Sequence, residues 1–248
     1  MSNLKTLCLT AMVSVTLAAC ASAKPEAGYS NSPNDPYEPF NRSVSKFNDT
    51  VDRATLKPLA KGYRAITPKF VRTGVSNFMG NLGYPLVIVN DLLQGKFQQG
   101  GKDLLRLGLN STVGLAGFID IASKTGLKEN DEDFGQTLGA WGVPSGPYLV
   151  LPFLGPSSVR DAPSRVADYF FDGRRYVGDT SLQDKLLAVD LVDLRYRLLS
   201  AEELLEGSYD PYITLREAWI QRRQYLVFDG DPPLDDDFFD DEEFDDSD

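Results

Sequence analysis

Apolar positions recur along this chain at three- and four-residue spacing, the period of a helix that buries one face. Phe40, Val44, Phe47, Val51 and Ala54 form one such series. Phe70, Val71, Gly74, Val75, Phe78 and Met79 form a second, opened by Thr67-Pro68, which reads as an N-cap followed by proline in the first turn. Leu182, Leu186, Leu187, Leu191, Leu194 and Leu198 mark a third. A fourth runs from Asp210 to Leu226, opens with Asp-Pro and carries Ile213, Ala218, Ile220 and Tyr225. Strand-type alternation is rare and no internal repeat is evident. The pattern predicts one all-α domain over residues 35–228.

Three middle segments depart from this pattern. Tyr84–Leu93 is nearly all apolar. Leu104–Ala122 is apolar and rich in small residues, interrupted by Arg106 and Asp120. Gly146–Pro156 is apolar and broken by prolines. None supplies the ~18 uninterrupted apolar residues of a membrane span. They read either as core or as faces turned towards lipid at an interface. On the second reading Leu86, Val87, Ile88, Val89, Leu92, Leu93, Leu115, Phe118, Ile119, Leu149, Leu151 and Phe153 are candidates for an apolar belt. Glycine is frequent here. Gly80 and Gly83 suit close helix approach, and Gly95 and Gly100-Gly101 suit sharp reversals.

The two ends differ from the body. Residues 1–19 read as a secretory signal: Lys5 supplies charge and Leu7–Ala19 is a short apolar run. It closes on Leu17-Ala18-Ala19-Cys20, the bacterial lipobox pattern, so cleavage and acylation are expected at Cys20. Acyl chains contribute about 0.8 kcal/mol per buried methylene, so two or three of them hold a protein on a membrane. Cys8 would leave with the signal, and Cys20 would be the only cysteine of the mature chain, which excludes an intramolecular disulfide. Ala21, rather than aspartate, follows it. By the general lipoprotein sorting rule this favours the outer membrane, here on its periplasmic face. Residues 20–34 are small, polar and contain proline, and read as a tether.

The other end, residues 229–248, holds twelve acidic and no basic residues. Without it and Lys5, 24 acidic and 24 basic residues remain of the chain's 36 and 25, so the body is neutral and the net charge of -11 sits in the tail. Such a run is expected to be disordered. It serves either as a solubilising tail or as an acidic docking arm with Phe238, Phe239 and Phe244 as apolar anchors.

Much chemistry is missing. The chain has no histidine, and with it go the commonest general base and metal ligand. There is no free cysteine nucleophile, no G-x-S-x-G elbow, no Walker loop and no dinucleotide fingerprint. The acidic run Glu129–Asp133 reads as a solvated loop, and the tail lacks EF-hand spacing. Dispersed basic residues on a neutral body argue against nucleic acid. No metal, cofactor or catalytic group is expected; binding or transfer is the better class.

Residues 35–225 carry an ordered set of motifs: Asp35-Pro36-Tyr37-Glu38-Pro39-Phe40-Asn41-Arg42, Ser76-Asn77-Phe78 with Gly80-Asn81-Leu82, and Leu93-Gln94-Gly95. Leu109-Asn110-Ser111-Thr112-Val113-Gly114, Gly117-Phe118-Ile119-Asp120 and Glu132-Asp133-Phe134-Gly135-Gln136-Thr137-Leu138-Gly139 follow. The set closes with Gly146-Pro147-Tyr148, Leu151-Pro152-Phe153, Arg160-Asp161, Asp210-Pro211-Tyr212 and Arg216-Glu217-Ala218. In this order they resemble the VacJ/MlaA outer-membrane lipoproteins, whose pathway maintains outer-membrane lipid asymmetry. The resemblance implies a ring of helices in the periplasmic leaflet beside a trimeric porin. It also implies a central channel that takes phospholipid from the outer leaflet towards a soluble periplasmic lipid carrier. The acidic tail lies outside the resemblance.

A phospholipid needs an apolar belt around its carrier and polar atoms along its path. Asn41, Arg42, Asn110, Ser111 and Thr112 stand as polar residues beside apolar ones and are candidates for that path, with Phe40. The resemblance adds Phe47-Asn48 as a place where a channel is gated, although Lys46 and Asp49 depart from the family's usual choices. The rival reading is a non-catalytic lipoprotein that only scaffolds porins or envelope complexes.

Overall fold

The structure is a computed structural model, and it describes residues 34–233, apart from the side chains of residues 203, 204 and 206. The signal, Cys20, residues 20–33 of the tether and residues 234–248 of the tail lie outside the described residues.

The chain is helical, as its periodicity predicts, with one small hairpin. Helix α1 spans Glu38–Ala54, α2 Leu56–Ile66, α3 Lys69–Leu93 and α4 Phe97–Thr112. Two short helices follow, α5 over Ile121–Lys124 and α6 over Phe134–Ala140. Strands β1 (Tyr148–Leu151) and β2 (Gly155–Ser158) come next. Then come α7 (Asp161–Phe171), a 3-10 turn (Gly173–Tyr176), α8 (Thr180–Glu206) and α9 (Pro211–Val227).

Local chemistry sets several of these starts. Asp210 caps α9 by accepting from the N–H groups of Tyr212 and Ile213, and Pro211 fills the first turn, where a missing N–H costs nothing. Asp133 caps α6 through Gln136, and Asp179 caps α8 through Leu182. At the second predicted start, Pro68 rather than Thr67 is the residue before α3, and Thr67 closes α2. The sequence pattern missed the hairpin. Gly146–Pro156 is not a helix: Tyr148 pairs with Ser158 and Leu151 with Gly155, antiparallel. Its turn needs left-handed backbone at both Phe153 and Gly155.

Helix α3 is the central strut. It lies along α4 and also touches α6, α7, α8 and the 3-10 turn. Helix α2 packs on α8, α6 on α7, and α9 on α6 and α8. The apolar cluster is small: Tyr148, Val150 and Tyr212 are buried, with Val44, Ile213, Trp219 and Ile220 against them.

Gly95 makes the expected reversal between α3 and α4, at φ +76°. Gly100 and Gly101 instead lie inside α4. The closest approach falls at Gly74 rather than Gly80 or Gly83: a Cβ on Gly74 would sit 2.2 Å from the Phe118 ring, whereas one on Gly80 would meet nothing within 4 Å. Gly74→Ala is therefore expected to cost ~1–3 kcal/mol by overpacking. Thermal melting checks it, and Phe118→Leu in the same chain should recover most of the loss.

Candidate functional site

Polarity in this domain is inverted. Among the described residues nineteen polar or charged side chains are buried, against nine apolar ones, so charge rather than hydrocarbon fills much of the interior. Large apolar side chains stand outside, among them Phe70, Phe97, Leu104, Leu105, Leu115 and Phe153. Water penalises such a surface, whereas an apolar phase accepts it. No described helix is long and apolar enough to cross a membrane.

The buried polar groups are knitted into clusters. In the first, Asn41 donates to Asp35 Oδ1 at 2.8 Å and to the Tyr148 carbonyl at 3.0 Å, while its own oxygen accepts from Val150 N at 2.9 Å. Tyr212 donates to Asp35 at 2.5 Å, and Arg216 pairs with Asp35 at 3.1 Å and Glu38 at 3.4 Å. Arg42 pairs with Glu38 and Asp210 and lies over the Tyr212 ring. This cluster joins α1, β1 and α9.

The second cluster joins α6, α7 and α9. Arg223 grips Asp133 through two 2.6 Å bonds and Asp161 through one of 2.8 Å. Arg160 bonds Asp161 from the other side at 2.8 Å. Burial and the nearby Asp133 charge push Asp168 up to about 6, even though it accepts from Phe134 N. The third lies between α3 and α4: Tyr84 donates to Asp103, and Asn130 bridges Asp103 and Asp91. Glu132 accepts from Lys96 and Gln94. The run Glu129–Asp133 is a solvated loop only in part, a correction to the sequence reading: Glu129 and Asp131 are exposed. Glu132 is buried and Asp133 is ion-paired, because Lys96 and Arg223 reach them from distant parts of the chain. In the fourth, Arg106 and Asn110 hold Asp120. Burial alone would raise Asp120, but bonds from Ser123, Arg106 and Asn110 outweigh it and hold it down at about 2.

A cavity of about 370 Å³ opens beside the second cluster. Tyr148, Arg160 and Arg223 supply its polar wall, and Val143, Trp219, Ile220 and Val227 its apolar one. A smaller one, about 210 Å³, lies between α1 and the hairpin, and Tyr148 and Val150 line it with Ser45, Asn48 and Asp49. Tyr148 lines both. The first is within the ~300–1,000 Å³ of ligand sites and mixes apolar and polar walls as they do.

The predicted path residues fall in two places. Asn48 lines the smaller cavity, and its amide holds the hairpin through the Leu151 carbonyl and Phe153 N. Phe47 is exposed and meets Phe153 edge-on at 5.3 Å. Phe40 is half-buried on the same helix. Asn41 is fully buried with its amide consumed by Asp35 and β1, and Arg42 is held by two carboxylates. Asn110, Ser111 and Thr112 sit at the end of α4 and line neither cavity. Asn110 positions α5 through Ala122 N, Ser111 accepts from Asn81, and Thr112 bonds back to Gly108.

Of the predicted belt, Leu92, Leu93, Leu115, Ile119 and Phe153 are exposed. Leu86, Ile88, Val89, Leu149 and Leu151 are half-buried. Phe118 is half-buried against Gly74, and Val87 is buried inside the helix packing. Sequence reasoning missed Arg160, Arg223 and Trp219 as site residues. Arg160-Asp161 lay in the motif set, and its adjacent opposite charges were the available signal.

The two ends of the motif set meet in space, Asp35–Arg42 against Asp210–Arg216. A family model described as "MlaA lipoprotein" matches residues 33–226. The chain belongs to the MlaA lipoprotein family. It is 37% identical over 228 residues, 90% of each chain, to the intermembrane phospholipid transport system lipoprotein MlaA of Haemophilus influenzae. To the protein of that name in Escherichia coli K12 it is 38% identical over 208 residues, 80% of each. An uncharacterized protein of Rickettsia bellii is 38% identical over 195 residues, 78% of this chain and 76% of that one. A solved structure from work on the structural basis for maintenance of bacterial outer membrane lipid asymmetry overlays with TM-score 0.69 at 35% identity, covering 78% of this chain and 98% of that one. The MlaA-family fold is thus the helical one described above.

Proposed function

We propose that this chain passes phospholipids between the outer leaflet of the outer membrane and a soluble periplasmic lipid carrier, and so helps keep that membrane asymmetric. The observation that carries this reading is the inverted polarity: apolar side chains outside, a charged interior, and a cavity with one polar and one apolar wall. The names of its relatives support the same substrate class. Acylation at Cys20 would deliver the chain to the periplasmic face, the exposed apolar residues would seat it in the leaflet, and a trimeric porin would be its neighbour there.

The cavity suits a lipid in transit. Arg160 and Arg223 present cations whose charge Asp133 and Asp161 already balance. Such a wall offers donors and acceptors without a net charge to trap a headgroup. Trp219, Ile220 and Val143 give an acyl chain a surface to slide along. Nothing covalent is required, and the role is non-catalytic.

Deleting the gene is expected to let phospholipid accumulate in the outer leaflet and to raise detergent sensitivity. Val143, 42% exposed at the cavity wall, gives a finer test. A Val143→Trp chain should fold and localise normally yet fail to restore the leaflet. Full restoration by Val143→Trp would remove the cavity from the route. An unchanged outer leaflet in the deletion strain, together with porin cross-linked to the chain in the wild-type strain, would leave only the scaffolding role.

A further inference from the structure

The corner between α2 and α3 carries a charge pattern that the lipid-passing role does not use. From Arg53 to Asn90 the chain has six basic residues, Arg53, Lys57, Lys61, Arg64, Lys69 and Arg72, and no acidic one, in a body whose charges balance only when these six are counted. Three of the six are engaged: Arg53 with Asp49, Lys57 with Glu202, and Arg72 over the Tyr196 ring and on the Arg64 carbonyl. Asp193, which faces this stretch from α8, is spent on Tyr63, Ser76 and Arg197. Lys61, Arg64 and Lys69 are exposed and have no ion-pair partner among the described residues.

Apolar residues stand among these charges. Leu59 is 57% exposed, Ile66 84% and Phe70 72%. Leu59 and Ile66 are seven residues apart and so share one line along α2, while Lys61 and Arg64 share another. Between the two lines, on the protein side, Ala60 is fully buried with Leu56 and Tyr63 half-buried beside it. The helix therefore lies flat on the domain, showing an apolar edge and a basic edge. That is the arrangement of helices that rest in a membrane interface.

We infer that the α2–α3 corner is a docking surface for anionic phospholipid headgroups, with Leu59, Ile66 and Phe70 entering the acyl boundary and Lys61, Arg64 and Lys69 meeting phosphates. The inference rests on the membrane-seated reading above and adds to it a preference for lipid charge. A lipid interface provides both an anionic layer and an apolar phase within a few ångströms. An acidic protein surface in water matches only the charges. The chain's own acidic tail, residues 229–248, is the competing occupant.

The test is a capture competition. Full-length acylated chain is diluted from detergent, at low salt, into a mixture of phosphatidylcholine vesicles and vesicles containing about one-third phosphatidylglycerol, separated afterwards by sedimentation. Acyl chains and apolar belt insert into either kind, so the ratio captured reports charge alone. About tenfold more chain is expected on the anionic vesicles, a modest figure for electrostatic steering. The ratio is expected to fall to within about twofold of unity in high salt, where exposed charges are screened, and in Lys61→Gln/Arg64→Gln/Lys69→Gln. A wild-type ratio of one, with capture by both kinds, overturns the inference and leaves the lipid-passing role standing. A chain lacking residues 234–248 then shows whether the tail was covering the patch. A tenfold ratio that survives the triple substitution also overturns it. Capture by neither kind overturns the membrane-seated reading along with it.

Discussion

Arg216→Met is expected to destabilise the domain by ~3–5 kcal/mol, the loss that follows when one partner of a buried ion pair is removed. Arg216 is 4% exposed, and it faces Asp35 at 3.1 Å and Glu38 at 3.4 Å, both also buried. Burial by itself would loosen the guanidinium's proton, but bonds to Glu217 and Asp35 outweigh that, so the group stays charged. Methionine fills the space and leaves the Asp35 carboxylate without a cation in a place that water does not reach, whereas Glu38 keeps Arg42. Against a whole-domain stability of ~5–15 kcal/mol this is a large share. At ~2–4 °C per kcal/mol for a domain of this size, the melting temperature in detergent should fall by about ten degrees. The loss is not in the size of the side chain, and this can be shown. Asp35→Asn added to Arg216→Met should return much of the stability, because it removes the stranded charge. A melting point within about 1–2 °C of wild type for Arg216→Met alone would mean that the Asp35 carboxylate finds another counter-charge.

This cluster also shows how much could be read in advance. Asp210-Pro211 is a start signal that needs only the next three residues, so α9 was legible. Helices α1 and α8 were legible for the same reason, since a repeat of three and four residues is local. But five of the six leucines of the α8 series, Leu182, Leu187, Leu191, Leu194 and Leu198, are exposed, so the face that the pattern marks as buried is turned outwards. The hairpin was not legible. Its strands are four residues each, and its turn depends on Phe153 in a left-handed conformation that its residue type does not announce. The reading of the acidic run Glu129–Asp133 as solvated failed at Glu132 and Asp133, for a different reason. A run of charges looks solvated unless its partners are known, and Arg223 lies ninety positions beyond Asp133. Asn41 was placed on a lipid path because it stands between Phe40 and Arg42 in sequence. In space its amide is part of the sheet, completing the edge of β1. Polar residues in an inverted protein are as much its core as leucines are elsewhere, so polarity alone could not separate structural residues from the path.

The same inversion makes the domain sensitive to pH at Asp91. Its carboxyl is fully buried on α3 and contacts that of Asp103 on α4, itself 1% exposed. Tyr84 and Gln99 donate to Asp103, and Asn130 donates to both carboxyls. Glu132 faces them from the loop with Lys96 from the turn, and the lysine's charge is already met by Glu132 and Asp229. Asp91 Oδ2 has no hydrogen-bond partner in this set. Two carboxylates in contact away from water repel, and one proton held between them removes the repulsion and supplies the missing donor. Burial first, and the Asp103 carboxyl next, push Asp91 from its ordinary 3.8 up to about 8. In the unfolded chain the same group releases its proton near the ordinary value. Between about pH 4 and pH 8 the folded state therefore holds a proton that the unfolded state lacks. Raising pH across that window favours unfolding, by at most about 1.4 kcal/mol per pH unit for one proton. The stabilisation is complete below the window and gone above it. Asp91→Asn keeps the shape, carries no charge, and can donate to Asp103 at every pH. It is expected to flatten the profile from pH 5 to 8 and to melt higher than wild type at pH 8. Melting curves of both chains across that range, in one detergent and at one salt concentration, decide it. A wild-type profile already flat over those three units would mean that no proton is shared, and that the pair is neutralised by something other than a proton.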